Sequence, residues 1–298
     1  MTRILVILTM LLVLFAGSGE AAQKVLALQS LRVAPYDEVL RGVRSVVNGT
    51  FKKLVISDME GLDIAKAVRQ ERPDVILAIG ADALTKVKKI KDIPVVYLMV
   101  LDPQNTLTVG NNITGIGMNI PPERQAAALQ GALPRLKKIG IPYNPSQTGA
   151  LAKRTQAVAK GLGIETIARE VRTPRDVLTA VEGMKGDIDA LWMLPDITVA
   201  APETIEYLLL FSLNNRIPIL TFSDKYVEMG AFMALDIDPY DLGRQGGDMV
   251  KRILGGASPG AVPRTEPRSA IVTVNSKIAR KLGINLNEEA LGRAKVIK

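Results

Sequence analysis

The chain of 298 residues contains neither cysteine nor histidine. Without cysteine it forms no disulfide, carries no thiol nucleophile and lacks the residue to which a lipoprotein lipid is attached. Without histidine it has none of the usual serine–histidine or cysteine–histidine catalytic pairs and no histidine metal site. These absences argue against the commonest classes of hydrolytic and metal-dependent enzyme.

Short catalytic motifs are also absent or stand in the wrong context. The segment 256–260 matches the G-x-S-x-G pattern around Ser258, but it follows a predicted helix and leads into a proline-rich loop. A nucleophile elbow instead follows a strand and enters a helix. The pair Gly115 and Gly117 lacks the third glycine of a dinucleotide-binding loop, and no P-loop is present. We therefore expect no enzyme activity, no cofactor and no metal.

A long apolar run occurs at the amino terminus, where Arg3 precedes residues 4–15 and small residues follow up to Ala22. This order is typical of a secretory signal peptide, and the small residues favour cleavage after Ala21. A retained membrane anchor is the alternative, but the run is shorter than the ~20 apolar residues that a spanning helix needs. We predict a signal peptide over 1–21 and a periplasmic mature protein that is not lipid-anchored.

The net charge of +8 arises from 38 Lys and Arg against 30 Asp and Glu. The basic residues are scattered along helical segments, and the longest cluster lies within 86–91. Aromatic residues do not alternate with them, as stacking on single-stranded nucleic acid requires. The charge therefore indicates a solvated surface, and we expect no nucleic-acid partner and, by default, a monomer.

Short apolar runs alternate with segments of helical period along most of the chain. Runs rich in Val, Ile and Leu predict strands buried on both faces, and their alternation with helices predicts parallel β-α-β units. The strands are predicted at 25–28, 53–56, 75–79, 95–100 and 113–117, then at 139–143, 165–171, 190–194, 218–222, 231–235 and 270–274. The helices are predicted at 35–47, 63–72 and 81–89, then at 147–161, 174–184, 202–215, 240–254 and 276–282.

This order predicts an α/β protein with two doubly wound parallel-sheet lobes joined by a hinge. The chain first crosses between lobes near residues 115–122, where Gly and Pro interrupt the pattern. The elements after residue 238 exceed what one lobe needs, which suggests further crossings. We expect an N-terminal lobe of 22–118 plus about 238–262, and a C-terminal lobe of 119–237 plus about 263–298.

Polar residues follow several predicted strands, and ligands of open α/β sheets bind beyond the carboxyl ends of the strands. In the first lobe the candidates are Gln29, Ser30, Gly80, Ala81 and Asp82. In the second they are Asn144, Ser146, Gln147, Thr148, Asp196, Ser223 and Asp224. Structural roles are the alternatives, because Asn144 and Asp82 are also suited to capping a helix, and Asp196 and Asp224 to a turn.

Seven segments together carry a family resemblance from about Val25 to Leu286. They are VILAIGADAL (75–84), VLDPQN (100–105), NNITGIGM (111–118), IGIPYNPSQ (139–147), DALWMLPDITV (189–199), DPYDLGRQGGDMVKRILGG (238–256) and VNSKIARKLGI (274–284). In these segments the chain resembles the periplasmic substrate-binding proteins of ABC transporters that include the tryptophan and tyrosine binders. The resemblance implies a type I periplasmic-binding fold of Venus-flytrap architecture. It also implies a small-molecule solute bound in the cleft between lobes and an ABC transporter permease as partner.

Two departures from the family pattern bear on the ligand. The family's Gly-Thr-Pro-Ala is replaced by residues 80–83, which introduce Asp82, and its Asp-Asn is replaced by Asp196 and Ile197. Both changes favour a cationic or neutral solute over an aromatic amino acid. We expect Asp196 and Asp224 to hold a donor group of the solute, and Ser146 with the following helix terminus to fix a polar end. The alternatives are a ligand-sensing subunit for a membrane receptor or sensor kinase, and an exported enzyme on the same scaffold.

Overall fold

A computed structural model describes residues 22–101, 103, 107, 112–286, 292 and 294–298. The signal peptide predicted over 1–21 lies outside the described residues. The chain divides into two compact units: the first runs to Ile116 and includes Gly243–Arg264, and the second comprises Gly117–Leu242 and Thr265–Lys298. The chain therefore passes between the units three times.

The first unit is built on a five-stranded sheet in the order β2-β1-β3-β4-β5. Its strands are β1 (Lys24–Gln29), β2 (Thr50–Val55), β3 (Val75–Ile79), β4 (Val95–Val100) and β5 (Ile113–Gly117). Strand β1 pairs in parallel with β2 and β3, and β3 pairs in parallel with β4. The helices are α1 (Ala34–Arg44), α2 (Ile64–Glu71) and α3 (Ala81–Val87). Every residue of β3 and β4 is buried, as expected for parallel strands covered on both faces.

Strand β2 was predicted at 53–56 and as buried on both faces, and the structure differs in both respects. It starts at Thr50, ends at Val55 and exposes Thr50 and Lys52. The reason is its position at the edge of the sheet, where one side has no neighbouring strand. Residue Ile56 instead begins a short 3-10 turn that ends at Asp58.

Helix α9 (Pro239–Leu254) begins in the second unit and belongs to the first from Gly243 onward. Its glycines allow close packing inside the first unit. A Cβ atom on Gly243 would lie 2.1 Å from the carbonyl oxygen of Val39 in α1, and one on Gly246 would lie 2.5 Å from Leu98 in β4. The repeated glycines of the segment 243–247 therefore bring the α9 backbone against α1 and the sheet.

The second unit is built on a seven-stranded sheet in the order β12-β11-β10-β9-β8-β6-β7. Its strands are β6 (Lys138–Tyr143), β7 (Glu165–Glu170), β8 (Ala190–Trp192), β9 (Ile219–Thr221), β10 (Met233–Asp236), β11 (Ile271–Asn275) and β12 (Lys295–Ile297). Its helices are α4 (Pro122–Ala132), α5 (Pro145–Gly161), α6 (Pro174–Glu182), α7 (Pro202–Asn215), α8 (Asp224–Met229) and α10 (Ser276–Leu282).

The expectation of wholly parallel sheets is wrong for β11, which pairs antiparallel with β10. The other strand pairs of this sheet are parallel. Parallel neighbours that follow each other in the chain require a crossover connection. Strand β11 instead follows the passage of the chain through the first unit, residues 243–264, so its direction is not set by a β-α-β crossover.

Three elements of the second unit were not predicted: α4, α8 and β12. Helix α4 buries small residues such as Ala126 and Ala132, so its sequence has no strong apolar stripe. Helix α8 has 6 residues and β12 has 3, which are too short to produce a clear period. Among the helices that the structure describes, none combines the length and apolar character that crossing a membrane requires.

Candidate functional site

Asn144 stands directly after β6 and is the N-cap residue of α5. Its side-chain oxygen accepts hydrogen bonds from the amide (3.0 Å) and the hydroxyl (2.8 Å) of Ser146. Its Nδ2 donates to the hydroxyl of Thr198 at 2.8 Å. The capping alternative considered for Asn144 is therefore its structural role, and the side chain also ties α5 to the segment after β8.

Asp196 is buried beside Asn144, with 1% of its surface exposed. One carboxylate oxygen accepts from the amide of Asn144 (2.7 Å) and the hydroxyl of Thr148 (2.6 Å). The other accepts from the amides of Thr198 (2.9 Å) and Val199 (3.3 Å). Four donors occupy the acceptor capacity of a carboxylate. Asp196 thus positions its neighbours, in contrast to the expectation that its carboxylate holds a donor group of the solute.

At the carboxyl ends of β6 and β8, the exposed side chains belong to residues next to the hydrogen-bond network of Asn144 and Asp196. Ser146 and Gln147 are exposed on the first turn of α5, and Ile197 is 71% exposed after β8. The turn is distorted at Thr148, whose φ of −124° and ψ of 16° are not helical. The bond from Thr148 to Asp196 accompanies this distortion, so the buried carboxylate helps to set where Ser146 and Gln147 lie.

A second group of polar residues lies at the ends of β9 and β10. Ser223 is the N-cap residue of α8, and its side chain lies near enough to Asp236 to oppose the rise in the pKa of that carboxylate that burial causes. That carboxylate accepts from the amides of Ile237 (2.8 Å) and Asp224 (3.4 Å). Asp224 forms an ion pair with Lys295 of β12 at 3.0 Å. The charge of Asp224, expected to meet a solute, is therefore balanced within the unit.

Burial raises the pKa of the Asp236 carboxyl above its ordinary value of 3.8, and the charge of Asp224 acts in the same direction. A group whose pKa is raised in the folded state stabilises the fold below its unfolded pKa. This contribution is lost as the pH rises through the folded pKa.

We expect the variant Asp236→Asn to lose less stability than the wild type as the pH rises from below 3.8, because it has no carboxyl to ionise. Urea titrations of both proteins at a series of pH values measure the difference between their free energies of unfolding. A difference that stays constant from pH 3 to pH 7 would contradict this assignment.

In the first unit, Gln29 and Ser30 at the end of β1 are buried. The Nε2 of Gln29 donates to Asp37 at 3.1 Å, and its Oε1 has no hydrogen-bond partner among the described residues. The hydroxyl of Ser30 accepts from the amide of Ala83 at 2.9 Å, which fixes the start of α3. Ala81 and Asp82 are exposed on the first turn of that helix.

Tyr36 of α1 joins this group, although its position in a helix gave no sequence signal. Gly80 has a φ of +98°, and a Cβ atom there would lie 2.5 Å from both the Ser30 and the Tyr36 hydroxyl oxygens. Burial and the charge of Asp82 raise the pKa of the Tyr36 phenol. The structure therefore brings Ser30, Tyr36, Gly80 and Asp82 together at the carboxyl ends of β1 and β3.

The sequence is similar to those of known substrate-binding proteins. The sequence model of the family described as ABC transporter substrate binding protein matches residues 50–298. A tyrosine-binding protein of Clostridioides difficile is 25% identical over 228 residues, which are 74% of this chain and 66% of that protein. The match thus spans just under two thirds of the relative's length.

Two solved structures are similar over 93% of this chain. One is a ligand-free, open substrate-binding protein with adhesive properties from Clostridium difficile, with 22% identity, a TM-score of 0.77 and 99% of its chain covered. The other is an ABC domain in complex with L-Trp from Streptococcus pneumoniae, with 24% identity, a TM-score of 0.63 and its whole chain covered. These similarities confirm the predicted type I periplasmic-binding fold. Because the family model spans most of the chain, the protein belongs to the ABC transporter substrate-binding protein family.

Proposed function

We propose that the protein captures a small solute outside the cytoplasmic membrane and presents it to the permease of an ABC transporter. The observation that carries this proposal is the family match over residues 50–298, which includes most of the sheet strands of both units. The relatives named for tyrosine and found with L-Trp support an amino acid or a related compound as the solute.

Within this function the candidate residues divide into two groups. The exposed side chains of Gln147 in the second unit and of Asp82 in the first are proposed to contact the solute, together with the exposed Ser146, whose hydroxyl donates to Asn144. The buried side chains of Asn144 and Asp196 are proposed to position them, since their polar atoms are engaged by other protein groups.

The remaining candidates fit the same division. Gln29 and Ser30 are buried at the end of β1, and Ser30 holds the start of α3, on which Ala81 is exposed. Ser223 is the N-cap residue of α8, and Asp224 is held by Asp236 and Lys295. We propose that these four polar residues shape the site, and that Ala81 offers backbone and a methyl group.

The same proposal places the mature protein, residues 22–298, in the periplasm as a monomer without catalytic activity. In this proposal the mature protein arises when residues 1–21 are removed during export. The family's function in ABC transport supports an extracytoplasmic location.

A thermal-shift screen of residues 22–298 tests the proposal against amino acids, amines, nucleosides, sugars and small organic acids. A ligand that binds the folded state stabilises it by about 2.7 kcal/mol at 100 times its Kd. We expect one chemical class to raise the unfolding temperature in a concentration-dependent, saturable manner. If every class leaves a well-folded protein unchanged, solute capture of this kind is excluded.

A further inference from the structure

We propose that Arg154 is a positioning residue for solute capture, because it holds two of the three passages of the chain between the units against helix α5. This inference rests on the proposed function and concerns the regulation of the same site. It predicts a solute affinity that depends on ionic strength even when the solute is uncharged.

Arg154 lies on α5, the helix whose first turn carries Ser146 and Gln147. Its guanidinium binds two carboxylates at once. The Nε and Nη2 atoms donate to Glu123 at 3.3 and 2.9 Å. The Nη1 and Nη2 atoms donate to Glu266, the latter at 3.1 Å. Because bidentate bonds fix orientation as well as distance, Arg154 holds both carboxylates in defined positions relative to α5.

Both carboxylates stand close to passages of the chain. Glu123 is in the first turn of α4, shortly after the chain enters the second unit at Gly117. Glu266 follows Thr265, where the chain returns to the second unit for the last time. The amide of Gly117 donates to the carbonyl oxygen of Thr265 at 3.1 Å. The first and third passages are therefore joined to each other by their backbones and to α5 by Arg154.

The remaining passage is tied to the same returning segment. Asp241 is in the first turn of α9, just before the chain leaves the second unit after Leu242. Its carboxylate accepts from Nε and Nη2 of Arg268 at 3.0 and 2.6 Å, and from the hydroxyl of Ser269 at 2.6 Å. Residues 265–269 therefore connect all three passages, through contacts that lie within the second unit.

The network around Arg154 is open to dissolved ions. The side chains of Arg154 and Glu266 are 42% and 39% exposed. The hydrogen bond with Glu266 raises the pKa of the Arg154 guanidinium, so this group stays charged and pH does not switch it off. The Debye length falls from about 10 Å at 0.1 M salt to about 3 Å at 1 M. Salt should therefore weaken the network and free the passages.

The held passages favour solute binding through entropy. A solute that contacts the start of α5 orders the chain around it, and this ordering has a cost. Where Arg154 already holds the passages against the same helix, less freedom remains to be lost. Loss of the network is therefore expected to weaken binding, although no contact to the solute is removed.

Exchange of the Gly117 amide tests the network in residues 22–298 without any solute. We expect Arg154→Gln to speed this exchange by about threefold to tenfold, relative to the Val171 amide, which donates to Tyr143 at 2.9 Å. Salt at about 1 M should act similarly on the wild type and add little in the variant. Arg154→Lys keeps the charge without the fork and should be intermediate. The matched control Arg172→Gln removes an exposed guanidinium of the same unit and should leave the rate unchanged.

Isothermal titration with the solute identified by the broad screen measures the effect on the site. Arg154→Gln should weaken binding by about threefold to tenfold and remove its salt dependence, and Arg154→Lys should restore part of the affinity. A urea titration followed by the fluorescence of Trp192, the chain's single tryptophan, should shift only slightly, because exposed ion pairs add little to global stability. This comparison separates positioning from loss of the fold.

The inference is overturned, with the proposed function intact, if the Gly117 amide exchanges at the same rate in Arg154→Gln and Arg172→Gln. It is also overturned if the exchange accelerates while the affinity equals or exceeds that of the wild type. If no solute class binds in the broad screen, the proposed function fails and the role of Arg154 in capture fails with it.

Discussion

Replacing Asp196 with alanine is expected to lower the free energy of unfolding of the second unit by about 3 to 5 kcal/mol. The change leaves four donors without an acceptor: the amides of Asn144, Thr198 and Val199 and the hydroxyl of Thr148. Each unsatisfied buried donor costs about 1–3 kcal/mol, and water relieves part of this cost. Asp196→Asn should have an intermediate effect, because its amide oxygen still accepts from Thr198 and Val199.

Trp192 allows this effect to be measured for the second unit alone. It is the chain's single tryptophan, it has no exposed surface, and its indole N–H donates to Gln125 at 3.1 Å. A urea titration followed by tryptophan fluorescence therefore reports the unfolding of this unit. The matched control is Asp187→Ala, which removes an exposed carboxylate near the start of β8. Equal midpoints for Asp196→Ala and the wild type would show that the buried network adds no stability.

The same variant should weaken solute binding by tenfold or more, or about 1.4 kcal/mol. The loss arises because Ser146 and Gln147 stand on a turn that Asp196 holds through Thr148 and Asn144. Titration of the folded variant with the solute identified by the screen measures the affinity. An affinity equal to that of the wild type would show that Asp196 does not contribute to solute binding.

Gly243→Ala is expected to destabilise the first unit by about 2 to 3 kcal/mol, because added atoms in a well-packed contact force the backbone to shift. The new methyl carbon would lie 2.1 Å from the carbonyl oxygen of Val39, and backbone on both sides limits relaxation. The first unit holds no tryptophan, so thermal unfolding is followed by circular dichroism.

Gly131→Ala in α4 is the matched control for this substitution. Apart from its chain neighbours and the backbone of its own helix, no atom of the described residues lies within 4 Å of the position that its Cβ would take. Alanine should therefore stabilise this helix by about 0.5–1 kcal/mol relative to glycine. If Gly243→Ala unfolds at the same temperature as Gly131→Ala, the close packing of α9 on α1 does not limit stability.

The strands that the sequence predicts best are those buried on both faces. The observed bounds of β3 and β4 equal the predicted ones, because β3 is an apolar run between Asp74 and Gly80 and β4 is an apolar run that follows Pro94. The prediction was poorer for β2, an edge strand, and for the direction of β11. Both properties depend on which strands become neighbours, and the local pattern of apolar residues does not contain that information.

The candidate site shows the same division between local and distant information. The strand-end rule selected Asn144 and Asp196, which are 52 residues apart and joined by a hydrogen bond of 2.7 Å. It did not indicate that the carboxylate of Asp196 is filled by protein donors. It also missed Tyr36, Asp236 and Lys295, since their roles arise from contacts between separate elements. Residue type and position after a strand therefore selected the carboxyl ends of the strands as the candidate region. Hydrogen bonds and ion pairs between separate elements decide which of these residues expose their side chains.

Isothermal titration of residues 22–298 with the most stabilising solute tests the central claim of solute capture most directly. The account predicts saturable binding of one equivalent per chain, with the solute recovered unchanged afterwards. Absence of saturable binding, or recovery of the solute as a reaction product, would contradict it.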